Sequence, residues 1–221
     1  MGVNSYTPTN TAVASAFACE VCLVLDRSHS MCWDTSGTTY SYPPPIGSDR
    51  DLGLRSPPAD GSRWKSLDTA INSFCGILRS ANAPPRVAAV TWSSDVGTST
   101  YEYQLTGHTT VGVTTDIGLT SDMNAVYSAV HSRTQVLMHG ATDMASGINQ
   151  GTAILTSNNV RPFARKVMIM MTDGQWNTGN NPIDAAAAAV GHNITIHCIC
   201  FLANADQTTT QNIASMAGGK F

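Results

Sequence analysis

Three short segments of this 221-residue chain concentrate oxygen donors whose spacing suits a hard cation. The first is Asp26-Arg27-Ser28-His29-Ser30, where two hydroxyls two residues apart can face one ion from an extended loop. The second is Gly140-Ala141-Thr142-Asp143, and the third is Thr172-Asp173-Gly174. Asp26, Ser28, Ser30, Thr142 and Asp173 together offer two carboxylates and three hydroxyls. Such ligands suit Mg2+ or Mn2+ rather than zinc or copper. Mg2+ binds few carboxylates and keeps waters, so an exchangeable position should remain. The two Asp charges offset the ion, which can still attract a carboxylate from outside. Each piece alone has an ordinary explanation. Asp-x-Ser-x-Ser is often a turn with side-chain-to-backbone hydrogen bonds, Thr142 can cap a helix, and Thr-Asp-Gly is a common turn. Their joint placement is what carries weight.

That placement depends on the elements before each segment. Residues 18–25 are a continuous apolar run, as expected of a strand buried on both faces. Arg86–Trp92, Val167–Met171 and Ile194–Phe201 read the same way. Tyr101–Leu105 alternates and reads as a half-exposed strand at an antiparallel edge. Helices are expected from Ser62, with Trp64, Leu67, Ile71, Phe74 and Leu78 on one face, and over Ser121–Val136 and Asp143–Thr156. Pro182 opens another as an N1 proline, and Thr209–Met216 forms the last, closed by Gly218-Gly219. Buried strands alternating with amphipathic helices mean an α/β fold with a mostly parallel sheet. In such sheets ligands bind beyond the carboxyl ends of the strands, which is where the donor segments fall. Residues 1–16 read as a flexible tail. Residues 32–61, with Pro43-Pro44-Pro45 and Pro57-Pro58, read as a long Pro-rich insertion in a single domain spanning 17–221.

Composition narrows the classes. Apolar residues make up 42%, enough for a substantial core, whereas charged residues are only 12%. Ser and Thr fill the gap with 47 residues, a surface suited to an extracytoplasmic protein. A net charge of −3 and a pI near 6.0, with no Lys/Arg run, argue against nucleic acid or an anionic membrane as partner. No apolar stretch is long enough to span a bilayer. The start lacks the basic and apolar regions of a signal peptide. The ending at Gly218-Gly219-Lys220-Phe221, where a strand could begin, favours an excised part of a longer exported protein, with a cytosolic protein as the other option. Cys19-x-x-Cys22 lies in a strand-like run, where residues three apart sit about 10 Å apart on opposite faces. That is too far for a bridge. Buried free thiols are expected at Cys19, Cys22, Cys32, Cys75, Cys198 and Cys200. A zinc site using His197 and a disulfide through Cys32 remain alternatives.

As a set, Asp26-x-Ser28-x-Ser30, Thr142 and Thr172-Asp173-Gly174 resemble the metal-ion-dependent adhesion site of von Willebrand factor type A domains. The resemblance implies a Rossmann-like three-layer α/β/α sandwich with sheet order 3-2-1-4-5-6 and strand 3 antiparallel. It implies that Ser28 and Ser30 bind Mg2+ directly, Thr142 in the ligand-occupied state, and Asp26 and Asp173 directly or through water. Mn2+ or Ca2+ can replace Mg2+. The sixth position would take a Glu or Asp from a partner protein. Val24-Leu25-Asp26-Arg27-Ser28, Gly61-Ser62-Arg63-Trp64 and Ala203-Asn204-Ala205-Asp206-Gln207 are similar to type A domains of bacterial TadG-like proteins. Those are linked to Tad-type pilus assembly, usually membrane-anchored and facing the periplasm.

Two departures stand out. His29 occupies a position where the family usually has Gly, which matters if that position needs a positive φ. The insertion beside the site offers Trp33, Tyr40 and Tyr42 as aromatic contacts. His29, Trp33, Asp143, Gln175, Trp176 and Asn177 form the expected partner-binding rim. The function expected is a metal-dependent protein-binding or adhesion module, and not an enzyme. A regulatory subunit of an ATP-driven, chelatase-like complex is the alternative. A metal hydrolase fits less well, because there is no Gly-x-Ser-x-Gly elbow, no phosphate loop and no separate general base.

Overall fold

The structure, a computed structural model, describes residues 18–35, 52–202 and 207–221. The expected tail, Tyr40, Tyr42, most of the insertion and residues 203–206 lie outside them.

Five strands form one sheet: β1 (Cys19–Asp26), β2 (Arg86–Trp92), β3 (Val113–Thr120), β4 (Arg165–Thr172) and β5 (Ile194–Cys200). Their order is β3-β2-β1-β4-β5, parallel except for β3 against β2. This is the expected order through five strands. Cys198 N–H donates to the Lys220 carbonyl at 2.9 Å, so the terminal residues run along the outer edge of β5, where a sixth strand would lie.

Seven α-helices are described: α1 (Leu52–Arg55), α2 (Arg63–Arg79), α3 (Tyr101–Thr106), α4 (Met123–His131), α5 (Met144–Leu155), α6 (Pro182–Gly191) and α7 (Gln207–Met216). Side chains alternate across β1, and this splits the core in two. Cys22 and Val24 join Trp92, Ile148, Met168, Ala186, Ile196 and Ile213 under α5, α6 and α7. Val21, Leu23 and Leu25 join Trp64, Leu67, Ile71, Val87, Met123 and Val126 under α2 and α4. The result is the three-layer sandwich. No described helix is long and apolar enough to cross a membrane.

Tyr101–Leu105 is not a strand. Thr100 caps it by accepting the Tyr103 N–H, Gly107 ends it in the left-handed region, and no residue of α3 is buried. With no residue of the segment buried, its alternation has no core face to serve, and the caps decide the local structure. The antiparallel edge strand is β3 instead, a Thr-rich segment whose faces are only partly buried and so leave little hydrophobic alternation to read. The helix expected over Ser121–Val136 ends at His131 and continues as a 3-10 turn, Ser132–Gln135.

None of the six cysteines is in a disulfide. Burial pushes Cys22 and Cys32 up to about 12, which keeps them protonated and inert. The zinc alternative finds no ligand set, since no three His, Cys, Asp or Glu cluster among the described residues; His197 Nδ1 accepts the Lys220 N–H at 2.9 Å.

α5 lies close on the sheet because it presents glycine there. A Cβ at Gly147 would stand 2.5 Å from the Trp92 ring, which is fully buried and cannot retreat. Gly147→Ala should therefore destabilise the fold by about 1–3 kcal/mol despite alanine's better helix propensity. Urea denaturation checks this, and an unchanged midpoint would contradict so close a contact.

Candidate functional site

The three donor segments meet at the carboxyl end of the sheet. Asp26 ends β1 and is fully buried. Its Oδ1 accepts the Ser28 N–H at 2.7 Å, and its Oδ2 accepts the Thr172 hydroxyl at 2.6 Å. The chain then turns through a 3-10 helix, His29–Cys32, whose Met31 and Cys32 are buried in the core beneath α2. That anchor aims the serines inward. Ser28 Oγ lies 3.1 Å from Ser30 Oγ, and the Ser30 hydroxyl donates to Asp173 Oδ1 at 2.9 Å. Asp173 follows directly on β4 and is 3% exposed.

The loop carrying Thr142 is tied on both sides. The His29 N–H donates to the Gly140 carbonyl at 3.0 Å. The Ser94 N–H donates to the Ala141 carbonyl at 2.8 Å, and Ser94 Oγ accepts the Ala141 N–H at 2.9 Å. Gly140 has φ +94°, and a Cβ there would sit 2.4 Å from the Ser94 carbonyl oxygen, so only glycine fits. The Thr142 N–H donates to Asn177 Oδ1 at 3.0 Å. Thr142 Oγ1 and Ser30 Oγ both face Gly174, 3.1 and 3.7 Å from where its Cβ would be. Thus all five expected donors converge on one spot.

Sequence reasoning missed Arg63. Its Nη1 donates to Asp173 Oδ2 at 2.6 Å, with the two side chains 5% and 0% exposed. Its Nε donates to the Asp34 carbonyl at 2.9 Å, and its guanidinium lies 5.3 Å from the Trp33 ring centroid. The available signal was a basic residue directly after the Ser62 cap, at a helix start where acids are favoured.

The expected rim divides. Gln175 and Trp176 are exposed. His29 and Trp33 are half-buried and meet edge to face, with centroids 5.7 Å apart. Asp143 caps α5 by accepting the Ser146 N–H, and the Asn177 side chain holds Thr142, so both have structural work. His29 is not among the described positive-φ residues, so its position does not require glycine's freedom.

Two carboxylates are thus buried against each other. Burial, then the charge of Asp173, pushes Asp26 up from 3.8 to about 7. Burial raises Asp173 as well, against the pull of Arg63. Among the described residues no three His, Cys, Asp or Glu cluster together, so a cation here would rely on two carboxylates and hydroxyls. The residues present fit one. Neighbouring ligands of an octahedral ion with bonds of about 2.1 Å stand about 3.0 Å apart. The Ser28–Ser30 and Ser30–Asp173 separations are 3.1 and 2.9 Å.

A family model for the von Willebrand factor type A domain matches residues 20–221, and the chain belongs to that family. No sequence match to a curated protein was found. Among solved structures it is similar to an aerotolerance-related membrane protein from Bacteroides fragilis, with 15% identity, a TM-score of 0.60, and coverage of 92% of this chain and 90% of that one. The pilus adhesin SpaC from Lactobacillus rhamnosus GG gives 16% identity and 0.62, over 93% of this chain but 28% of the adhesin. Manganese-loaded TRAP from Plasmodium vivax gives 17% and 0.58, over 90% and 63%. At these identities the likeness is one of fold.

The electrostatics yield a pH prediction for the metal-free protein. Between 3.8 and about 7 the folded state holds a proton on Asp26 that the unfolded chain has released. Stability is therefore highest below that window and falls as pH rises through it. Thermal midpoints in EDTA should drop from pH 5 to pH 8, and Asp26→Asn, which has no titrating proton and keeps one acceptor oxygen for the Ser28 N–H while its NH2 cannot accept the Thr172 hydroxyl, should flatten the slope. An equally steep slope in the variant would contradict the assignment.

Proposed function

We propose that this protein is a divalent-cation-dependent protein-binding module. Residues 17–221 form it as one domain with an insertion at 32–61. Ser28, Ser30 and Asp173 hold the ion, with Asp26 behind them and Thr142 joining when a partner is bound. The observation that carries this reading is the run of contacts from buried Asp26 through Ser28 and half-buried Ser30 to buried Asp173. It gathers two buried carboxylates and hydroxyl oxygens at the edge of the core. That arrangement is costly without a cation and favourable with one. Hard oxygen donors favour Mg2+, with Mn2+ or Ca2+ as substitutes.

When bound, the ion supplies an open coordination position for a Glu or Asp carboxylate from a partner protein. The chain's own residues do the rest. The core-anchored 3-10 helix fixes the two serines, Asn177 and Gly140 fix Thr142, and Trp176 and Gln175 present an exposed rim. The donors are engaged with one another rather than with a nucleophile and a base, which favours binding over catalysis. The surplus of hydroxyl over charged residues suits an extracytoplasmic location in a membrane-anchored or secreted parent. A place in cell-surface adhesion or pilus assembly agrees with the likeness to a pilus adhesin and with the TadG-like segments.

The test is calorimetric titration with Mg2+ and Mn2+ at neutral pH, on the wild type and on Asp26→Ala with Asp173→Ala. One saturable site, lost in the double variant, is expected. No binding by a folded wild type would refute the reading.

A further inference from the structure

We propose that Arg63 is a specificity-determining residue of the cation site, a built-in positive charge that weakens the bare ion's hold and strengthens the pull on a partner's carboxylate. This inference rests on the metal-binding reading above.

The charge count comes first. With Asp26 and Asp173 alone, a divalent ion would be neutralised. Arg63 neutralises Asp173 instead, through the 2.6 Å contact to Oδ2, and leaves one positive charge over once an ion is present. Neither side chain is screened by water, since 5% and 0% of them is exposed. Arginine does not release its proton to relieve the conflict. The site with ion and Arg63 is therefore a cationic socket and not a neutral one.

Geometry supports a dedicated role. The guanidinium is held on three sides, by Asp173, by the Asp34 carbonyl and by the face of Trp33. Holding Oδ2 leaves Oδ1, where Ser30 donates, as the oxygen that turns to the donors. A cation in the first turn of α2 opposes the helix dipole, and that turn contains no acid to offset it. A local rule broken at a buried site, where the charge is answered by the site's own Asp173, is the pattern expected of function. Arg63 also sits where the chain returns from the insertion. Asp34 and Ser62 form a β-bridge, and the Arg63 N–H donates to the Trp33 carbonyl at 2.9 Å.

The experiment compares wild type, Arg63→Gln and Arg63→Lys. Mn2+ affinity is read by calorimetry. Acetate serves as the probe carboxylate, read by its displacement of Mn2+-bound water in proton relaxation. Removing the charge should tighten Mn2+ binding about tenfold or more and weaken acetate binding to the loaded protein several-fold. Arg63→Lys keeps the charge and should stay near wild type in both. If Arg63→Gln folds only with metal, acetate binding to its folded, Mn2+-loaded form still decides: several-fold weaker binding is expected, and wild-type acetate affinity would overturn the inference. Wild-type Mn2+ and acetate affinities in Arg63→Gln would overturn the inference while leaving the metal site standing. The same holds if Arg63→Lys behaves like Arg63→Gln. No Mn2+ binding by the wild type would instead remove the reading beneath it.

Discussion

Two carboxylates held out of water at the ends of neighbouring parallel strands are the constraint around which this molecule is arranged. β1 delivers Asp26 and β4 leads directly into Asp173; the pairing of Leu25 with Met171 sets Thr172 beside Asp26 and Asp173 one residue beyond. Burial strips both carboxylates of hydration and raises each towards neutrality, and Asp26 is raised further by the charge of Asp173. The surroundings answer that strain in layers. The Ser28 N–H and the Thr172 hydroxyl satisfy Asp26, while Ser30 and Arg63 satisfy Asp173. A divalent cation would complete the compensation, and it supplies the reason to keep so unfavourable a pair buried.

The scaffold serves this end of the sheet. Two separate apolar cores clamp the sheet from both sides, and the parallel pairing makes every central strand point its carboxyl end at the same place. The loops beyond are then stitched to one another. His29 reaches Gly140, Ser94 reaches Ala141, and Asn177 reaches Thr142. A site assembled from three loops thereby gains the rigidity of the strands that carry them.

Much of this was legible in the residues. Strands such as Val21–Leu25 and Val167–Met171 announce themselves as unbroken apolar runs, because burial on both faces demands it. The helices around Leu67 and Ile148 show their single apolar face. The donor segments were legible because hydroxyls and carboxylates recur where such strands end. What escaped was decided by contacts far apart in sequence. Tyr101–Leu105 alternates like a strand but has no face to bury, while Val113–Thr120 pairs through its backbone with little apolar pattern. Arg63 looked like an ordinary charge at a helix start, and only the fold brings it 110 positions along the chain to Asp173. Asn177 is exposed at the expected rim, and only the fold shows that its side chain also braces Thr142.

The central claim is that the buried carboxylates and their serines hold a divalent ion. The most direct measurement is a crystal structure of the wild type soaked in Mn2+, with the metal located by its anomalous scattering. The account predicts one strong peak within bonding distance of Ser28 Oγ and Ser30 Oγ, beside Asp173 and facing Thr142. A well-ordered site with those hydroxyls and no peak, or a peak bound elsewhere on the chain, would contradict it.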